Sequence, residues 1–106
     1  MAETEFHKLI DDIYIQIEDQ IDESGVDLDY ESSGGVMTIT CESDGSKVIL
    51  SRQPATGELW VAARSGGYHF RSDDGDWTCA TGENLAELLE RVIQEQNNET
   101  LTFSFS

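Results

Sequence analysis

The stretch VDLDYESSGGVMTITCESDGSKVIL, Val26 to Leu50, is where the hydrophobic period of this chain becomes two. Val26, Leu28 and Tyr30 alternate with acids, Met37, Ile39 and Cys41 with threonines, and Val48 leads to Leu50. Each set predicts a strand with one buried face. Ser33-Gly34-Gly35 and Asp44-Gly45 are turn sequences of the kind that join hairpins. The alternation continues through Leu59-Val61-Ala63, Tyr68-Phe70 and Trp77-Cys79, punctuated by Pro54 to Gly57, Gly66-Gly67 and Asp74-Gly75. The run Asp73-Asp74-Gly75-Asp76 lacks the ligand spacing and closing glutamate of an EF-hand and reads as a turn. Upstream, Phe6, Leu9, Ile10, Ile13, Ile17 and Ile21 recur at spacings of three and four, which predicts an amphipathic helix over 4–23, stopped by Ser24-Gly25. Downstream, Leu85, Leu88, Leu89, Val92 and Ile93 predict a second helix from Gly82 to Gln96, with Thr81 as its cap. Leu101, Phe103 and Phe105 of the tail are expected to pack across the helices without adding a strand. Two such helices need one apolar sheet face to cover. The expected fold is therefore α+β: a two-layer α/β sandwich with two helices on one face of a five- to six-stranded antiparallel sheet, one domain over 1–106.

Charge narrows the function. The chain has 22 acids against 6 lysines and arginines, a net charge of -16, so nucleic acid is excluded as a default partner because its phosphates would be repelled. Residues 1–31 hold eleven of the acids and a single basic residue, Lys8. The start, MAETEFHKLIDD, is acidic where an export signal is basic, and no apolar run is long enough to span a membrane, so a cytoplasmic protein is expected. Cys41 and Cys79 stand far apart without a second pair and are expected as free thiols at inward strand positions. No phosphate-binding loop, nucleophile elbow or zinc-protease helix occurs, and His7 and His69 have no nucleophile beside them; the chain is expected not to be an enzyme.

On the first helix, at about 100° per residue, the acids fall into strips. His7, Asp11, Glu18 and Asp22 line one flank; Glu5, Asp12, Asp19 and Glu23 line another. Like charges three and four apart, and acids in a last turn, destabilise a helix. Stability therefore does not account for Glu18, Asp19, Asp22 and Glu23. Asp27, Asp29 and Glu31 alternate with Val26, Leu28 and Tyr30, and so extend the acids along the solvent side of the first strand. Exposed carboxylates with an imidazole suit hydrated cations such as Ca²⁺, Mn²⁺ and Fe²⁺, held weakly. A basic protein surface would suit them as well, and the competing reading is a solvated surface that only confers solubility.

If Leu59, Val61 and Ala63 face the helices, Trp60 faces water, in the company typical of an interface hot spot. The reversed register, with Trp60 buried, is the alternative. Arg52 and Gln53, one strand earlier, are expected to share the exposed face with Trp60.

EFHKL near the N-terminus, the acidic helix end leading into DLDYE, then GGVMTIT, RQ followed by LWVA, and GGYHF followed by DWTCA together resemble the frataxins in their bacterial form. The resemblance spans nearly the whole chain in order and spacing. It implies the sandwich derived above, in a protein that binds iron weakly as Fe²⁺ or Fe³⁺, with other divalent cations accepted, and takes part in iron-sulfur cluster assembly. It also implies docking on the cysteine desulfurase IscS, and contact with the cluster scaffold, as iron donor or regulator. The expected species is a monomer able to form iron-dependent oligomers, with neither nucleic acid nor membrane as partner. On this chain the resemblance maps His7, Glu18, Asp19, Asp22, Glu23, Asp27, Asp29 and Glu31 to the iron-associated surface, to which the helix pattern adds Asp11. It maps Trp60, Arg52 and Gln53, with Glu18, Asp19, Asp22 and Glu23, to partner contact. The chain departs from the family pattern at Ser51, Pro54 and Glu58, where the family has asparagine, a proline one residue later, and glutamine. Ferroxidase or iron-storage activity, and a metal-independent acidic module that inhibits a basic partner, are the alternatives.

Overall fold

The structure, a computed structural model, describes residues 3–73 and 76–105. The expected turn at Asp74-Gly75 lies outside the described residues. In chain order the elements are α1 (Glu3–Ser24), β1 (Leu28–Ser33), β2 (Val36–Cys41), β3 (Lys47–Gln53), β4 (Glu58–Ala63), β5 (Gly66–Asp73), β6 (Asp76–Thr78) and α2 (Leu85–Asn97). The strands form one antiparallel sheet in the order β1-β2-β3-β4-β5-β6, so every strand pairs with its neighbour in sequence. Gly34 and Gly35 both carry positive φ, 60° and 83°, as the tight turn between Ser33 and Val36 demands. A Cβ on Gly35 would also meet the Arg52 side chain at 3.1 Å.

The period-two pattern places Leu28, Met37, Ile39, Cys41, Val48, Leu50, Leu59, Val61, Phe70 and Trp77 on the covered face of the sheet. Phe6, Ile10, Ile13, Ile17 and Ile21 of α1 and Leu85, Leu88, Leu89, Val92 and Ile93 of α2 close over them. Two positions of the α1 stripe differ from expectation. Leu9 is 39 % exposed, and Tyr14 is buried in its place. Tyr14 fits because its hydroxyl finds backbone acceptors, lying 2.9 Å from the Gly35 carbonyl and 3.2 Å from that of Leu50, while the ring fills the core.

The start of α2 is a second correction. The helix begins at Leu85, with Asn84 and not Thr81 as its cap: Asn84 Oδ1 accepts from the Glu87 amide at 2.9 Å, and Glu87 Oε1 accepts from the Asn84 amide at 3.0 Å. The three-residue spacing to a glutamate that makes this reciprocal box belongs to Asn84 and not to Thr81. Thr81 instead accepts from the Glu83 amide in the preceding turn. At the other end of α2, buried Gln96 donates to Ser46 and accepts from the Arg64 amide, and buried Asn97 bonds Ser43 and Asp27. These bonds stitch the helix to the loops beside β1, β2 and β4.

The tail adds no strand. Leu101 and Phe103 are buried, and Gln20 clasps the Ser104 backbone in both directions, at 2.8 and 2.9 Å. Cys41 and Cys79 are free thiols, and burial pushes the Cys41 thiol up. No helix among the described residues is long and apolar enough to cross a membrane.

Candidate functional site

The acids of α1 and β1 meet along one side of the molecule. Chain direction reverses between the two elements, so the helix flank that carries Glu18 and Asp22 runs back over Tyr30 and Ser32. Glu18 accepts from the Ser32 hydroxyl at 2.9 Å and Asp22 from the Tyr30 hydroxyl at 2.7 Å. The bond to Asp22 is the first cause that pushes the Tyr30 phenol up to about 12. Asp19, Asp22, Glu23, Asp27, Asp29 and Glu31 are all exposed, and Glu18 is half-buried. Among the described residues, no ion pair reaches any of these seven carboxylates.

Sequence reasoning passed over two members of this surface. Glu42, beyond the end of β2, has its carboxyl pushed up by a hydrogen bond with Asp29 and by the charges of Asp29, Asp27 and Glu99. Glu99 accepts from the Asp27 amide at 3.0 Å. Neither stands in a periodic run; only the pairing of β1 with β2 and the return of the chain after α2 bring them in. Among the described residues, no three His, Cys, Asp or Glu side chains converge closely enough to hold one ion.

His7 and Asp11 are placed differently. Arg52 reaches across from β3 to lie 3.0 Å from His7 Nδ1 and to donate to Asp11 at 2.5 Å, with its guanidinium 5.4 Å from the Tyr14 ring centre. Arg52 thus balances the flank of α1 that bears Asp11, and the uncompensated acids begin one turn and more further on, at Glu18. Beside it a groove of about 410 Å³ runs between α1 and the β1-β2 turn, lined by Asp11, Tyr14, Ile15, Glu18, Ser32 and Arg52 among others.

The opposite face of the sheet carries Trp60. Leu59 and Val61 are buried, and Trp60 points outward, half-buried, with its ring stacked on His69 at 4.3 Å and 9°. Beneath its edge lies Glu58, whose side chain is only 8 % exposed. Glu58 accepts from Trp60 Nε1 at 2.9 Å, from Arg71 at 2.7 Å and from Thr56 at 3.2 Å. The bonds from Trp60 and then Arg71 hold its carboxyl down at about 2. Gln53 pairs with Glu58 across the strands and so shares this face. Arg52 does not: it pairs with buried Leu59 and turns to the helix side. Val36 and Ile49, 37 % and 36 % exposed, extend the outward face toward β1. The arrangement is thus two surfaces, an acidic ridge and an aromatic sheet face.

Comparison with known proteins gives a consistent answer. Residues 1–99 match the family model of the frataxin-like domain. The iron-sulfur cluster assembly protein CyaY of Stutzerimonas stutzeri is 51% identical over 106 residues, covering 97% of this chain and 96% of that protein. The Vibrio cholerae protein of the same name is 48% identical, covering 95% and 97%. Among solved structures, frataxin from Psychromonas ingrahamii superposes with a TM-score of 0.92 at 33% identity over 98% of this chain and 99% of that one. Trimeric frataxin from the yeast Saccharomyces cerevisiae, complexed with ferrous iron, gives 0.71 at 24% identity over 86% and 87%, a likeness of fold.

Proposed function

The chain belongs to the frataxin-like family, and from that premise we propose that it serves iron-sulfur cluster assembly as an acidic adaptor, docking on a basic partner and holding iron loosely as cargo. The observation that carries this is the set of seven ridge carboxylates, Glu18, Asp19, Asp22, Glu23, Asp27, Asp29 and Glu31, that no ion pair reaches among the described residues. Carboxylates spread along a ridge attract hydrated Fe²⁺ through one or two oxygens at a time. The same spread matches an extended basic surface better than it matches a single ion, and electrostatic steering would speed the encounter. A cysteine desulfurase, IscS, is the partner the family suggests, with Trp60 and Gln53 as a second contact. The adaptor works in the cytoplasm and catalyses no step of its own.

An anoxic Fe²⁺ titration followed by amide NMR tests the cargo reading, with Ca²⁺ as the control for charge screening. Selective broadening over residues 18–31 by iron is the expected result. Equal, salt-sensitive shifts with both ions would remove iron from the reading and leave docking alone. For docking, the quadruple variant Glu18→Lys, Asp19→Lys, Asp22→Lys, Glu23→Lys is expected to abolish desulfurase binding. Unchanged affinity would refute the ridge as the docking surface.

A further inference from the structure

Strand β1 is an edge strand, and its outward backbone is open. In an antiparallel pair, residues alternate between exchanging hydrogen bonds with the partner strand and turning their N–H and C=O away from it. The Glu42 amide donates to the Asp27 carbonyl and the Cys41 amide donates to Ser46 on the other side, which fixes the phase: Asp29 and Glu31 bond to β2, whereas Leu28, Tyr30 and Ser32 point their backbone groups outward. The Leu28 amide is used by Val26. The N–H and C=O groups of Tyr30 and Ser32 have no protein partner among the described residues. The other edge of the sheet is closed off: β6 is three residues long, and Asn84 bridges to Thr78 there.

What flanks the open edge decides what can add to it. On its outer side stand Asp29 and Glu31; on its helix side stand Ile15, 55 % exposed, then Glu18 and Asp22. An added strand would point alternate side chains at these two rows. A second copy of this chain, itself at net charge -16, would bring carboxylates against carboxylates. Acids on the edge thus exclude self-pairing, the usual hazard of such a strand, and leave a basic segment as the matching occupant.

The geometry points to the edge of β1 as a strand-addition site for an extended, lysine- or arginine-bearing segment of a partner protein. This rests on the reading of the ridge as a surface for a basic partner, and adds how that partner is held. Backbone bonds at Tyr30 and Ser32 give register, and charges on both sides give selectivity. Unlike a purely electrostatic contact, such binding requires the partner segment to be extended and keeps part of its strength in salt.

The test uses a blocked octapeptide alternating lysine and threonine as probe, with amide hydrogen exchange read by NMR on the intact protein. The Tyr30 and Ser32 amides are expected to slow about tenfold at saturation, with Asp29 and Glu31, already bonded to β2, changing little. Ser32→Pro removes an outward N–H without touching the ladder to β2 and is expected to weaken the peptide about tenfold, and Ser32→Ala, which keeps that N–H and loses the hydroxyl bond to Glu18, is expected to weaken it far less. If the peptide binds and shifts the ridge without protecting Tyr30 and Ser32, strand addition is overturned and electrostatic docking stands. If it does not bind at low salt, the basic-partner reading falls as well. The exchange measurement needs no variant, so a Ser32→Pro protein that fails to fold leaves the inference testable.

Discussion

Glu58 takes hydrogen bonds from Trp60 on one oxygen and from Arg71 on the other, and this fixes both the tilt of the indole and the charge of the sheet face around it. Because folding lowers this carboxyl from 4.5 to about 2, the charged form belongs to the native state. Its stabilising contribution is present above pH 4.5 and is lost as pH falls from there toward 2. Glu58→Gln is therefore expected to be less stable than the parent at neutral pH and to show a flatter decline of thermal midpoint between pH 4.5 and 2. Parallel pH curves for the two proteins would contradict this. Trp60 was legible in the sequence because alternation about Leu59 and Val61 leaves it one side to occupy. Arg52 was legible by the same rule: it shares the parity of Val48 and Leu50, and so turns with them to the helix side. Grouping it with Gln53, its neighbour, sets aside the alternation that settles each. Glu58 was not legible as a buried acid: Thr56 and Trp60 stand two residues to either side of it, but Arg71 reaches it only through the pairing of β4 with β5.

Helix α1 shows the conflict between stability and recognition at the scale of an element. Its last turns carry Glu18, Asp19, Asp22 and Glu23 with no basic residue to answer the exposed carbonyls. Asp19 and Glu23, four apart and both exposed, also repel each other. Replacing both by lysine is expected to stabilise the protein by about 1 kcal/mol, through the dipole and through attraction between a lysine at position 19 and Asp22, although a like-charge pair remains at 19 and 23. The same change should weaken binding to a basic partner. A thermal melt and a desulfurase titration on the double variant check the two signs together; a fall in both would show that these acids serve the fold. Element positions were largely readable: α1 from its stripe, the strands from period two. The start of α2 was not, because Thr81 and Asn84 are both able caps, and the choice is made by Glu87 at the reciprocal spacing.

For the molecule as a whole, a charge of -16 on 106 residues means that the folded state works against its own repulsion. Raising monovalent salt from low to physiological strength is expected to raise the thermal midpoint by several degrees while weakening the docking of a basic partner. A midpoint independent of salt would mean that the ridge acids are too well hydrated for their repulsion to matter to the fold. The layering followed from two amphipathic helices and one apolar sheet face. The gathering of Glu42 and Glu99 beside Asp27 did not, since it depends on where distant loops return. The strand order carries a kinetic consequence. Each pair of neighbours in the sheet is a hairpin between adjacent segments, so the sheet zips locally, with little loop to close at any step. The long-range closures are those of the helices and the tail: Tyr14 of α1 to the Leu50 carbonyl, Gln96 and Asn97 of α2 to Ser46 and Asp27, and Gln20 to Ser104 across 84 residues. The docking of the helices and the tail is therefore expected after the sheet has zipped, and Gln20→Ala should hasten unfolding while leaving the refolding rate nearly unchanged.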